Sequence, residues 1–401
     1  MIKAFLGGNN MELWQIKNRL RLYKINLSME AKNILSEQYQ DYNTIGDYII
    51  NLGKDVYVSV NFSDKSDYLL DYKNGHFSIY DNNNLLLEDV ELHQVPKVIN
   101  KTFKNSFNQE VYVGDYIAQH GSRIRWMPNS QGYLCSNDCK FCEVWANKAK
   151  IYEKTPEDFE IAYNILKNNS VEKISELLVS GGTPRNDKES FEYMNKVYKK
   201  ASDISNKDNL SLDIMLAPRG YYCDEEAQEK NISKEENYTL FFKYLKELNV
   251  KDVAINLELW NERYRNQLIR RKNLYSREDY LRYLEIGVSI LGKDIIRSGL
   301  IVGLEPIEDT LTATNELAKR KIRIIYSPYE PYLYKADENK HLDYRYRIQN
   351  LDNDIKERFT KFNLSIDEED DLTLKGYEIC KKYNVEFGSK YPSSNHNNLS
   401  V

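Results

Sequence analysis

The sequence predicts an α/β protein: a partial (β/α)6 TIM-like barrel with a small N-terminal α+β domain and a short C-terminal extension. Three observations predict it. From about residue 121, short apolar runs alternate with amphipathic stretches long enough for helices, which is the pattern of parallel βαβ units. The cysteine-free stretch before about residue 118 follows a different pattern of short alternating runs. The stretch beyond residue 336 is polar. The expected boundaries are 1–118, 119–335 and 336–401.

In the first segment, residues 11–40 have helical character, with Leu13, Ile16, Leu20 and Leu22 loosely spaced. KDVYVSVNF (54–62) alternates apolar and polar residues, and HFSIYD follows the turn signal Asn74-Gly75, so both are read as strands. The barrel strands are RIRWM (123–127), ISELLVSGG (174–182), LSLDIMLAP (210–218), KDVAINLEL (251–259), IIRSGLIVGL (295–304) and KIRIIYSP (321–328). Helices are expected between them, for example over 156–169 and 276–292. Residues 366–383 place acids early and lysines late, which suits a helix dipole, and the tail YPSSNHNNLSV is expected to be loosely ordered.

Composition narrows the function. The chain has 401 residues, 41% hydrophobic and 29% charged, so a sizeable core and a solvated surface are both available. A net charge of −5 disfavours a nucleic-acid binder. No stretch approaches the roughly 18 apolar residues of a membrane helix, and the first residues lack the apolar core of a secretion signal. Three of the five cysteines, Cys135, Cys139 and Cys142, crowd into one short loop. That is a poor disulfide framework, and it suits a reduced cytoplasmic compartment and a metal site.

The loop reads Cys135-x-x-x-Cys139-x-Phe141-Cys142 and follows the first barrel strand. Three thiolates can bind three irons of a cubane cluster and leave the fourth without a protein ligand. A zinc site is the alternative, but it wants four protein ligands and no fourth cysteine lies nearby. Three further segments end predicted strands, where barrel enzymes place their chemistry. They are Ser180-Gly181-Gly182-Thr183-Pro184, Asn256-Leu257-Glu258, and Arg297-Ser-Gly299-Leu-Ile301-Val-Gly303-Leu-Glu305.

With these motifs in this order, residues 121 to about 332 resemble the radical S-adenosylmethionine (SAM) superfamily, whose signature is CxxxCxΦC with Φ aromatic. The stretch from Asn256 to Glu305 is also similar to biotin and lipoyl synthases, although their additional cluster cysteines have no counterpart here. The resemblance implies a [4Fe–4S] cluster on Cys135, Cys139 and Cys142, with Phe141 beside it. It implies a SAM amine held by the turn at Gly181, Gly182 and Thr183, and ribose hydroxyls held by Asn256 and Glu258. Gly299, Ile301 and Gly303 would pack against adenine, with the glycines leaving one strand face bare. Arg297 would either pair with the SAM carboxylate or serve a structural ion pair. Glu305 is expected to anchor its loop.

The implied activity is reductive cleavage of SAM to a 5′-deoxyadenosyl radical, which abstracts hydrogen from a small-molecule or amino-acid-like substrate. A one-electron donor such as flavodoxin or ferredoxin would be the protein partner. Arg219 could hold a substrate carboxylate or phosphate, and Tyr221, Tyr222 or Cys223 could return a hydrogen atom to a product radical. Ser327, Tyr329, Glu330 and Tyr332 are further candidates to touch substrate, while Cys380 suits packing. Two alternatives stay open: a peptide-modifying member whose N-terminal domain grips a leader segment, and a non-catalytic Fe–S protein for electron transfer or assembly.

Overall fold

A computed structural model describes residues 3–4, 11–38, 48–93, 97–128, 135, 137, 139–142, 153–170, 172–183, 187–217, 220–331, 348–391 and 398–401, with the side chains of 3–4, 220–224 and 274 left aside. The chain begins with β1 (Lys3–Ala4) and β2 (Met11–Glu12), which pair antiparallel. The expected helix over 11–40 is broken into α1 (Leu13–Tyr23) and α2 (Met29–Gln38) by the short strand β3 (Asn26–Leu27). The break has a local cause. Lys24 takes a left-handed φ of 66°, and the apolar Ile25 and Leu27 then find strand partners.

Next come β4 (Tyr48–Asn51), β5 (Tyr57–Val60), β6 (Tyr68–Lys73), β7 (His76–Asp81) and β8 (Asn84–Leu92). Asn74 and Gly75 form the two-residue turn between β6 and β7, both with positive φ (54° and 89°), as the Asn-Gly signal requires. The sheet order is β3-β6-β7-β8-β4-β5. Its two edges meet through a parallel bridge between Ile25 and Phe62, so the strands run round a core of Ile16, Leu20, Ile50, Val58, Leu70 and Ile79.

The second sheet holds the site. After the hairpin of β9 (Thr102–Lys104) and β10 (Glu110–Tyr112) come β11 (Ile117–His120) and β12 (Arg123–Trp126), paired antiparallel. The strands β13 (Glu176–Val179), β14 (Ser211–Leu216), β15 (Asp252–Ile255), β16 (Ile296–Val302) and β17 (Arg323–Pro328) then add in parallel, giving the order β11 to β17. Crossovers are made by α3 (Pro156–Lys167), α4 (Lys188–Asp208), α5 (Gly220–Glu229) with α6 (Lys234–Glu247), α7 (Glu262–Leu268) with α8 (Arg277–Leu291), and α9 (Ile307–Lys319). The crossover helices α3, α6 and α8 start at capping boxes on Thr155, Ser233 and Ser276. The result is a mixed α/β fold with an open half-barrel sheet.

Charge closes the N-terminal end of this sheet. Arg123, Glu176, Asp213, Asp252, Arg297 and Arg323, one from each parallel strand, are all buried. Arg123 pairs with Glu176 at 2.7 Å and Asp213 at 3.0 Å. Arg297 pairs with Asp213 at 2.8 Å and Asp252 at 3.0 Å, and Arg323 with Asp252 at 2.6 Å. Three cations and three anions balance, which buried ions require.

The C-terminal region covers the β17 edge. After α10 (Asn353–Phe359), α11 (Ile366–Lys382) packs so closely that a Cβ on Gly376 would lie 2.8 Å from the Tyr326 ring. Cys380 is buried in that core, as its sequence position suggested. Residues 392–397 of the tail lie outside the described residues; at its end Leu399 is buried and bridges Tyr326 beside the β17 edge. Helix α1 docks on this region through Arg21, which reaches Glu330 and Glu369 at 2.5 Å each, and through Asn18 and Arg19 to Asp370. No helix among the described residues is long and apolar enough to cross a membrane.

Candidate functional site

The C-terminal ends of the parallel strands bring the motifs together. Cys135, Cys139 and Cys142 form no disulfide, with Cys139 buried and the other two partly accessible. The Cys142 amide donates to the Cys139 carbonyl at 3.1 Å, and the Lys140 amide to the Leu268 carbonyl at 2.8 Å, which ties the loop to the end of α7. Cys139 sits among Leu259, Leu268, Leu304 and Tyr329, with Phe141, Cys142 and Ile301 packed against them. Burial pushes the Cys139 thiol well above its ordinary value, with the other two cysteines adding to the shift.

The glycine turn after β13 touches this loop directly. The Thr183 amide donates to Cys135 Sγ at 3.1 Å, and Asn137 Nδ2 donates to Thr183 Oγ1 at 2.9 Å. Gly181 and Gly182 lie between Ser180 and this contact, both partly accessible. Pro184 is outside the described residues.

After β15, Asn256 and Glu258 lead away from the strand. Asn256 Oδ1 accepts from the Gly299 amide at 3.0 Å. Glu258 has a left-handed φ of 70° and bridges Leu300 of β16: its amide donates to the Gly299 carbonyl, and its carbonyl accepts from the Ile301 amide. Its carboxylate receives Lys272 Nζ at 2.6 Å, and both side chains are nearly enclosed. Burial alone would lower the Lys272 pKa, but Glu258, together with Tyr280 and Cys139, outweighs it and holds the ammonium above its ordinary value. Lys272 also lies in the electrostatic reach of Cys139.

The structure bears on three expectations. The bare side of Gly299 is taken up by Asn256, and that of Gly303 faces Leu364 at ordinary contact distance. A Cβ on Gly299 would lie 3.0 Å from the Asn256 carboxamide, and a Cβ on Gly303 would meet Leu364 at 3.5 Å. Gly299 therefore makes room for Asn256, and Gly303 supplies a φ of 96° where the chain leaves β16. Arg297 lies at the N-terminal end of its strand, held by Asp213 and Asp252, and so takes its structural alternative instead of a SAM contact. Glu305 anchors its loop: it accepts from the Trp260 amide at 2.9 Å and the Asn261 amide at 2.9 Å, while burial pushes its carboxyl up to about 7.

Tyr221, Tyr222 and Cys223 fall in the α5 backbone, but their side chains lie outside the described residues, as do Arg219 and Tyr332. Tyr329 is buried and donates to the Phe359 carbonyl at 2.7 Å, and Glu330 is taken by Arg21. Ser327 donates to Asn398 Oδ1 at 3.2 Å. Lys272 and Arg125 are the site residues that the sequence alone did not single out. Lys272 is one of three basic residues in a row (270–272), and nothing in that run marks which one turns inward.

The donor set fits a cubane. Among the described residues no group of three or more His, Cys, Asp or Glu is gathered closely enough to hold a metal ion. Cubane thiolates each take a different iron, and an amide donated to a cluster sulfur, as at Cys135, is part of how such clusters are held.

Comparison with known proteins gives the following. No curated protein sequence matches the chain. Similar solved structures include SuiB from Streptococcus suis (11% identity, TM-score 0.42, covering 68% of this chain and 49% of that one). They also include HydG, a maturase of the [FeFe]-hydrogenase (14%, 0.41, 67% and 52%). A third is coproporphyrinogen III oxidase (HemN) from Escherichia coli, titled a radical SAM enzyme (12%, 0.36, 62% and 50%). The chain spans about half the length of each. Residues 130–328 match the family model described as the radical SAM superfamily, and through this domain the chain belongs to that superfamily.

Proposed function

We propose that the protein is a radical SAM enzyme acting on a small-molecule or amino-acid-like substrate. The observation that carries it is the amide of Thr183 on the sulfur of Cys135, which joins the glycine turn to the cysteine loop at the barrel mouth. When bound, a reduced [4Fe–4S] cluster supplies the electron that splits SAM into methionine and a 5′-deoxyadenosyl radical, the species that takes a hydrogen atom from substrate.

The chain's own residues do the positioning. Cys135, Cys139 and Cys142 would hold three irons, with Phe141 shielding them on the apolar side. The turn at Gly181, Gly182 and Thr183 offers backbone groups to the SAM amine. Asn256, Glu258, Lys272 and Ile301 line the way from the lumen to the mouth, where the nucleoside would lie. Lys272 and Glu258 add a fixed dipole beside Cys139, and the apolar residues around that cysteine keep water out. Tyr221, Tyr222 and Cys223 are the proposed hydrogen donors.

In this reading the six parallel strands and their crossovers are a partial (β/α)6 barrel over 119–335, flanked by an accessory domain (1–118) and an extension (336–401). The electron donor is a flavodoxin or ferredoxin in the cytoplasm. A small substrate is favoured over a leader peptide because, among the described residues, the edges of the accessory sheet approach each other at the Ile25–Phe62 bridge, which narrows the room there for an added strand.

Anaerobic reconstitution with iron, sulfide, SAM and dithionite tests the proposal. Formation of 5′-deoxyadenosine is the expected result. Its absence with a fully loaded cluster overturns it in favour of an electron-transfer or assembly protein.

A further inference from the structure

The barrel lumen contains a charged side chain that the site described above does not use. Strand alternation points Arg123 and Arg125 of β12 to the same inward side. Arg123 belongs to the ion-paired base, and Arg125 lies one step nearer the mouth. Its Nε donates to Ser180 Oγ at 2.6 Å. Its two Nη groups make no hydrogen bond, and no ion pair, to any described residue. The other inward arginines, Arg123, Arg297 and Arg323, each hold an acid at 3.0 Å or less.

Arg125 is enclosed by protein, and that enclosure, with the charge of Arg123, lowers its pKa against the opposing pull of Cys142. Yet the side chain keeps partial accessibility. A group that is enclosed and still accessible lines an internal space. Among the inward residues of neighbouring strands, Met127, Met215, Ala217, Asn256, Ile301 and Ser327 are partly accessible, while Leu178, Ala254, Ile325 and the six charged residues of the base are buried. The lumen is therefore sealed at its base, and among the described residues Arg125 and several side chains above it stay partly accessible.

A guanidinium stays charged at any working pH, so deprotonation does not relieve its burial, and only an opposite charge can. We infer that Arg125 anchors a small oxyanion, a carboxylate or phosphate carried by the substrate, on the floor of the lumen. The free Nη pair offers the two-pronged geometry that such anions accept. Met215 and Ile301 face the same side, both partly accessible, and would meet the apolar part of the molecule. This inference rests on the proposed radical SAM reading, because it places the substrate directly beneath the cysteine loop.

The test uses reconstituted holoprotein in three forms: wild type, Arg125→Met and Arg125→Lys. Each is titrated with sodium acetate and with inorganic phosphate against sodium chloride at matched ionic strength. Melting temperature, iron content and cluster midpoint potential are read. Arg125→Met is expected to melt above wild type without added anion, because an uncompensated charge is gone. Acetate or phosphate should raise the wild-type melting temperature beyond chloride and leave Arg125→Met unmoved, with Arg125→Lys intermediate. Whichever anion acts identifies the group. Should Arg125→Met fail to load iron, the weakened response of Arg125→Lys carries the comparison.

The inference is overturned if neither anion exceeds chloride on wild type, or if Arg125→Met responds as wild type does. It also falls if Arg125→Met melts well below wild type, which is a structural role. A shifted cluster potential with an unchanged anion response assigns Arg125 to balancing the cluster, and likewise overturns it. Wild type that binds anion through Arg125 but forms no 5′-deoxyadenosine refutes the enzymatic reading and leaves the anchor standing. The reverse pattern refutes the anchor alone.

Discussion

The Lys272–Glu258 pair can be tested by a double-mutant cycle of Lys272→Met, Glu258→Gln and the double variant. The two charges meet at 2.6 Å with side chains 9% and 12% exposed. At the effective dielectric of a protein site, charges at this range attract by about 4 kcal/mol, and removing one partner leaves the other buried alone. Each single substitution should therefore cost about 3 kcal/mol. The double should cost much less than their sum, giving a coupling of about 2–3 kcal/mol. The assay is urea unfolding of the metal-free, reduced protein, followed by tryptophan fluorescence. Trp126 and Trp260 both report from the half-barrel. Additive effects within about 0.5 kcal/mol would refute the reasoning, because the two groups would then be independently solvated.

Three further predictions concern the frame around the site. Asp252→Asn should destabilise by about 3–5 kcal/mol in urea, since it leaves Arg297 and Arg323 sharing too little negative charge; a loss under 1 kcal/mol would contradict the paired base. Gly299→Ala should cost about 1–3 kcal/mol and displace Asn256, which a crystal structure of the variant would show as a lost Asn256–Gly299 bond. Lys17 is buried against Ser400, and burial, with Arg21, lowers its pKa to about 7. The unfolded chain then holds a proton that the folded one lacks between pH 7 and 10.5, so wild-type stability should rise with pH through that window. Lys17→Met should flatten this rise and add about 1–3 kcal/mol at pH 7, and an unaltered pH profile would contradict it.

What the sequence reveals depends on how local each feature is. The six apolar runs and the Asn74-Gly75 hairpin are encoded by neighbouring residues, and all stand where the sequence put them or within a few residues. Glu305 was legible as an anchor from its place just beyond β16, although the amides it holds, those of Trp260 and Asn261, belong to the segment after β15. Features that need two distant segments were not legible. Each strand of the base opens with a visible charge, but which arginine meets which acid depends on the stagger between strands. The partnership of Asn256 with Gly299 spans two strands, so a glycine that looked cleared for a ring turns out to accommodate a carboxamide. The tail looked loose because its polar composition hides one apolar residue, Leu399, which a distant strand edge captures.

The central claim is that three thiolates leave one iron of a cubane free to take SAM. Mössbauer spectroscopy of the reconstituted protein, with and without SAM, tests it most directly. The account predicts that one iron site in four shifts when SAM is added, while Cys135→Ala, Cys139→Ala and Cys142→Ala each lose the four-iron signal. Four iron sites that all ignore SAM would contradict it.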